Sequence, residues 1–226
     1  NSEAERRHLP RSAFLRCITK SAQVTKSIFT ESDLDELDSA DAPILLLNLN
    51  GTVTGAEHDY LKYGEEQGFH ERYLTKVRNP WYKLEKRTPA PLLFGVFSRE
   101  RFKVIRNLST AINLTCYHGF YPNLLGQEIL DSLFLYFQSR AARRLLELNM
   151  RRYGGALDKF EPNDLNRALA PSIDWFAKLP PDAVSRALES CRNGNGLPDF
   201  MNDHFDALIS EAEQSHAADA RKAACH

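Results

Sequence analysis

Residues Lys76-Val77-Arg78-Asn79-Pro80-Trp81-Tyr82-Lys83-Leu84-Glu85-Lys86-Arg87 set five cationic side chains around an indole and a phenol, with Glu85 as the one acid among them. Like charges at that density repel unless something anionic balances them, so the segment suits a polyanion with stackable or groove-lining surfaces. Lys76, Arg78, Lys83, Lys86 and Arg87 are candidate phosphate contacts. Arginine is the better choice for a base edge, because its rigid fork matches the two acceptors of guanine. Trp81 and Tyr82 could stack on a base or line a groove. Trp81 could equally be a core anchor, with Lys83 and Lys86 solvated beside it. Asn107, next to Arg106, could bond adenine bidentately or make an Asn turn. Arg143-Arg144 and Arg151-Arg152 read either as a second phosphate-facing ridge on a helix or as an ordinary solvated face.

Other chemistries find weaker footing. His58 and His70 flank Glu65 and Glu66 but stand twelve residues apart, and no compact ligand set emerges. Cys116 and His118 would share one face of a strand, which leaves a metal ion short of ligands. Cys17, Cys116, Cys191 and Cys225 are too dispersed for a zinc knuckle and fit buried or incidental thiols in a reducing cytosol. Gly51-Thr52-Val53-Thr54-Gly55 lacks the serine of a nucleophile elbow, and there is no phosphate-binding Gly-x-Gly signature. Asn79-Pro80-Trp81-Tyr82 resembles the Asn-Pro-Pro-Tyr loop that holds a flipped adenine in amino-methyltransferases. It differs at the third position and follows no glycine-rich strand-turn-helix, so it is read as a different element.

The chain has 226 residues, enough for one large domain or two small ones, and a hydrophobic fraction of 42% that supports a core. Its formal net charge of -1 is not that of a strongly basic DNA-binding domain. The distribution is uneven, however. Between Tyr60 and Thr110 there are eleven Lys or Arg and five acids, an excess masked by the acids from Glu31 to Asp41 and by the C-terminal third. For steering a phosphate backbone, the local field matters more than the total. No signal peptide and no apolar run near the ~20 residues of a membrane span is present, so a cytoplasmic chain without membrane contact is expected. The first residues are Asn-Ser-Glu rather than Met. The chain is therefore expected to be part of something longer, with catalytic parts upstream.

An α+β chain should position these groups, with a strand-rich first half and a helical C-terminal half. Ala13-Phe14-Leu15 could begin a short helix, residues 22–29 a strand, and Ser32-Asp33 an acidic turn. Residues 44–49 read as a buried strand after Pro43, and Asn50-Gly51 as a turn. Residues 54–68 read as a helix, with Thr54 and Glu57 as a capping box and Gly64 or Gly68 as its stop. Residues 92–97, 103–106 and 111–115 read as strands, the first two separated by a charged turn at 98–101. Residues 124–138 and 139–152 read as helices, the second ended by Gly154-Gly155. A short helix should follow Pro162 through Ala170, another should cover 182–191 after Pro180-Pro181, and a last should cover 199–216 before a fraying tail.

Several of these segments resemble one family. Arg78-Asn79-Pro80-Trp81-Tyr82-Lys83-Leu84 resembles the Arg-x-Pro-Trp-Tyr element in the C-terminal specificity region of adenine-specific DNA methyltransferases, the TaqI-like and Eco57I-like enzymes of restriction-modification systems. Residues 94–107 resemble the strand pair that follows it. His118-Gly119-Phe120-Tyr121-Pro122 is similar to the segment in which such proteins carry a histidine and a proline before a helix. Arg152-Tyr153-Gly154-Gly155, with Leu157, Lys159, Glu161, Pro162 and Leu165, resembles the element near the end of their recognition domain, although Ala156 stands where the family has a third glycine. Leu9-Pro10-Arg11 fits the join between catalytic and recognition domains.

The resemblance implies a TaqI-like DNA target-recognition domain over residues 1–180 and a helical extension over 181–226 to which it gives no role. It implies double-stranded DNA and the protein's own upstream methyltransferase domain as partners. That domain would bind S-adenosylmethionine and methylate adenine N6, and no cofactor is expected in this chain. The candidate DNA-binding set becomes Lys76, Arg78, Trp81, Tyr82, Lys83, Lys86, Arg87, Arg106, Asn107 and His118. The near-neutral total charge and the Leu- and Phe-rich helices keep open a structural or protein-interaction module. A nuclease or other hydrolase would need a metal-dependent cleavage signature that the scattered acids do not form.

Overall fold

Arg7 fixes the start of the chain to the body: its guanidinium lies over the rings of Tyr63 at 4.1 Å and Tyr60 at 5.2 Å. The computed structural model describes residues 2–49, 53, 55–99, 102–148, 150–154, 157–167 and 170–224, with the backbone alone at 152, 153 and 212–224. The turn expected at Asn50-Gly51, the cap at Thr54, part of the charged turn (Glu100 and Arg101), Gly155 and Ala156, and Cys225 lie outside the described residues.

Helix α1 (Ser2–Arg6) leads through a 3-10 turn at Arg11–Ala13 into strand β1 (Phe14–Ile18). A strand thus replaces the helix expected from Ala13, because non-local pairing on both edges outweighs local propensity. β1 pairs antiparallel with β3 and parallel with β7, whose ranges follow. β2 (Ile28–Phe29) precedes α2 (Glu31–Ser39), where an acidic turn was expected. Thr30 caps that helix: its hydroxyl accepts from the Asp33 amide at 3.3 Å, and the Asp33 carboxylate accepts from the Thr30 amide at 2.8 Å. The acids suit the positive end of the helix. β3 (Leu45–Leu47) is half-buried, and α3 (Gly55–Glu66) is followed by Gly68 at φ 70°, a left-handed position that a glycine takes without strain.

β4 (Leu92–Gly95), β5 (Phe97–Ser98), β6 (Val104–Asn107), β7 (Ile112–Asn113) and β8 (Tyr117–Phe120) come next. One sheet runs in the order β2-β6-β4-β8 and a second in the order β3-β1-β7. The period-2 alternation of β4 supplies two cores. Leu92 and Phe94 face the helical half with Val104, and Leu93 faces the N-terminal half with Ile105, Ile18, Phe29 and Tyr117. Register carries the alternation outward: Arg106 stands opposite Leu92 on the helical side, and Asn107 turns to the other side.

The helix expected over 124–138 is split at Ile129 into α4 (Leu124–Glu128) and α5 (Leu130–Gln138). α6 (Arg140–Glu147) stops short of Arg152. Its expected last turn is instead β9 (Arg151–Tyr153), which with β10 (Leu157–Lys159) and β5 forms a third sheet in the order β5-β10-β9. α7 (Pro162–Asn166), α8 (Ile173–Ala177), α9 (Pro181–Arg192) and α10 (Asp199–Ala224) complete the helical half, the last running past His216. Tyr136 of α5 is the hub, with its ring centroid 5.6 Å from that of Phe176 and 5.5 Å from that of Phe205. Ala187, Cys191, Met201 and Phe205, from beyond residue 180, lie in the same core as Leu92 and Phe94. The arrangement is a mixed α+β fold with β-sheets and C-terminal helices. Among the described residues, no helix is long and apolar enough to cross a membrane.

Candidate nucleic-acid interface

The basic stretch is an arm, residues 72–87, that leaves the end of α3 and returns to β4 without joining a helix or sheet. Local hydrogen bonds shape it. The Thr75 and Lys76 amides donate to the Arg72 carbonyl at 3.0 and 2.9 Å, the Arg78 amide to the Thr75 carbonyl at 3.0 Å, and the Lys83 amide to the Pro80 carbonyl at 3.0 Å. The Arg78 guanidinium donates to the Lys83 carbonyl at 3.3 Å and closes the loop between them.

Trp81 pins the arm to the body. Its Nε1 donates to Glu65 Oε1 at 3.0 Å, and its ring lies so close to α3 that a Cβ on Gly64 would sit 2.9 Å from the indole. Tyr82 packs edge-on against that indole, with centroids 5.8 Å apart. Trp81 is half-buried and belongs to neither core cluster, so it fastens the arm to α3 rather than anchoring a core. Lys76, Lys83 and Lys86 are exposed, and among the described residues no carboxylate pairs with them. Arg87 divides its guanidinium between Glu85 at 3.2 Å and the Asn113 carbonyl at 3.4 Å.

The remaining candidates are placed away from the arm's outer face. Arg106 Nε donates to Asp131 Oδ1 at 2.8 Å, and its Nη1 donates to the Pro91 carbonyl at 3.2 Å. It lines an open recess of about 500 Å³ with Pro89, Pro91, Tyr121 and Gln127 at the foot of the arm. Asn107 is 5% exposed and fully committed: its amide donates to the Ala90 and Ala111 carbonyls, and its Oδ1 accepts from the amide and hydroxyl of Ser109. It makes the Asn turn, and no free edge is left for adenine. His118 Nε2 lies 3.0 Å from the Phe160 carbonyl and joins β8 to the end of β10. Lys103 is likewise structural, donating to the Ser21 and Val24 carbonyls at 2.9 and 2.8 Å, with burial lowering its pKa.

Three of the four ridge arginines are paired in place, and the side chain of Arg152 lies outside the described residues. Arg143 pairs with Glu147 at 2.8 Å, Arg144 with Asp206 at 2.7 Å and Arg151 with Asp164 at 3.4 Å. Arg140 joins the same network through Asp203 and Asp206 and clamps α6 to α10. Among the described residues, no group of His, Cys, Asp and Glu could hold a metal ion.

Sequence reasoning missed Gly64 and Glu65 as the arm's seat. It also missed Tyr73, Leu74 and Val77, large apolar side chains that stand exposed among the cations. Their apolar character interrupting a charged run was the available signal. The Tyr153-Gly154 element proves to be β9 and the start of its turn. Lys159 and Glu161 from the same element form an ion pair at 2.5 Å, and Pro162 opens α7.

Comparison with known proteins gives these features a lineage. Residues 1–208 match the family described as Type II methyltransferase M.Eco57I, C-terminal domain. The chain is 34% identical over 226 residues to the Type II methyltransferase M.AccI of Acinetobacter calcoaceticus, covering 96% of this chain and 42% of that protein. It is 27% identical over 116 residues to the Type II methyltransferase M.XamI of Xanthomonas campestris pv. amaranthicola, covering 51% of this chain and 21% of that protein. The crystal structure of the type IIG restriction endonuclease BpuSI shares the fold, with a TM-score of 0.50 at 14% identity over 84% of this chain and 22% of that one. The chain therefore spans under half the length of each of these relatives. Homologous to type II DNA methyltransferases along nearly its whole length, it belongs to the family of the M.Eco57I C-terminal domain.

Proposed function

We propose that this chain is the target-recognition unit of a site-specific adenine-N6 DNA methyltransferase, with the role of a TaqI-like specificity domain. One observation carries the proposal: in a chain homologous to DNA methyltransferases, three exposed lysines, with no carboxylate partner among the described residues, sit on an arm held by a half-buried tryptophan. Lys76, Lys83 and Lys86 contact phosphates and set register, and Arg78 and Tyr82 between them face the groove. Trp81 holds the arm, Arg106 and Asn107 brace the chain at its base, and His118 ties β8 to the end of β10. The methyl donor, S-adenosylmethionine, and the pocket that receives a flipped adenine belong to the methyltransferase part, and this chain binds and orients the duplex for it.

Selection from a random pool of duplexes at low salt tests the proposal. The 226-residue chain should enrich one short sequence, and Arg78→Ala should relax that preference at one position. Duplex retention without any enrichment, or no retention, would show that the chain does not read DNA sequence and would favour a protein-interaction module.

A further inference from the structure

Resting on that DNA-binding role, we propose that the tip of the arm, residues 73–77, is an apolar wedge that enters a base step and distorts the duplex. Tyr73 is 78% exposed, Leu74 66% and Val77 73%, and they lie in two successive hydrogen-bonded turns, the first closed on the Arg72 carbonyl and the second on the Thr75 carbonyl. Large apolar side chains gathered on a surface turn lose hydrophobic stabilisation until something covers them. The first turn is also braced. The Thr75 hydroxyl donates back to the Phe69 and Arg72 carbonyls, so the tip is presented with little conformational freedom to lose on binding.

The surrounding charge selects the occupant. Arg72 stacks on Phe69 at 4.4 Å, Lys76 reaches over the Tyr73 ring at 6.0 Å, and Arg78 closes the turn behind them. Cations interleaved with apolar side chains match a partner whose apolar, stackable interior lies between two lines of negative charge. A base step flanked by phosphates has that form. Apolar side chains that enter such a step unstack it and bend the duplex, and the neighbouring cations hold the phosphates on either side. The wedge assigns the apolar residues a task separate from the charge contacts of Lys83 and Lys86.

The test uses the 226-residue chain and end-labelled random duplexes enriched on it. Bending is read by energy transfer between the duplex ends, and unstacking by permanganate oxidation of thymines. Wild type should bend the duplex and expose thymine at one step. The triple variant Tyr73→Ser, Leu74→Ser, Val77→Ser should lose both signals and bind about tenfold more weakly, while its salt slope stays the same because every cation remains. These side chains are exposed, so the variant should fold, with an unchanged circular dichroism spectrum as the check. Wild-type binding with a straight, stacked duplex overturns the wedge alone. Failure of wild type to bind any duplex overturns the DNA-recognition role as well. Self-association of wild type without DNA, abolished in the variant, assigns the patch to a second copy of the chain and also overturns the wedge.

Discussion

The indole Nε1 of Trp81 donates to the carboxylate of Glu65 at 3.0 Å, and this bond, with the ring packed on Gly64, is the main fastening between the cationic arm and helix α3. α3 in turn receives the N-terminal segment through Arg7 against Tyr60 and Tyr63. The arm's position is thus set by a helix that also holds the chain's entry.

Releasing that fastening should loosen the arm without melting the fold. Trp81→Ala removes the anchor, and Gly64→Ala places a methyl where the indole lies. Either should raise trypsin cleavage at Lys76, Arg78, Lys83 and Lys86 about tenfold, as expected for about 1.4 kcal/mol of lost local packing. Cleavage sites mapped by mass spectrometry check this; a wild-type pattern in both variants would show that the arm is held by other contacts.

Asn107 should be important for stability and unimportant for sequence reading. Asn107→Ala leaves the Ala90 and Ala111 carbonyls and the Ser109 groups without their partner in the interior. The expected cost is about 2–4 kcal/mol, measured by denaturant unfolding. The salt slope of duplex binding should not change.

Alkaline conditions should destabilise the N-terminal core. Burial, with a smaller contribution from Cys116, pushes the Cys17 thiol up to about 11, and burial pushes the Tyr117 phenol up to about 12. Both groups ionise more readily in the unfolded chain. The stability tied to their neutral forms is complete below the ordinary thiol value of 9.0 and is lost as pH rises toward the folded-state values. Denaturant midpoints should be flat from pH 7 to 8 and fall by pH 10, and Cys17→Ala should reduce that fall. At pH 8, Cys17 should react with a disulfide reagent only as fast as the core opens.

Segments with strong local signals were legible in the sequence. Leu92-Leu93-Phe94-Gly95 is a buried strand, Gly68 follows the end of α3, and the helix expected over 182–191 is α9, which begins one residue earlier at Pro181. What the sequence hid depends on distant partners. Ala13-Phe14-Leu15 looked like the start of a short helix, and the strand that begins at Phe14 is fixed by pairing with residues near 46 and 112. The β9–β10 hairpin carries Arg151, Arg152, Asp158 and Lys159, so no apolar alternation betrays it. At the site, the cations were visible but their neutralisation was not. Asp131 lies 25 residues from Arg106, and Asp206 lies 62 from Arg144. Ion pairing over such separations balances Arg106 and Arg144, and leaves the arm's lysines without a carboxylate partner among the described residues.

The salt dependence of duplex binding tests the central claim most directly. With Lys76, Lys83 and Lys86 each meeting a phosphate, these three should contribute about -2.7 to the slope of log affinity against log salt. In the Lys76→Ala, Lys83→Ala, Lys86→Ala variant the slope should shrink in magnitude by about 2.7. Equal slopes in the two proteins, or wild-type binding indifferent to salt, would contradict the arm as the DNA-contacting surface.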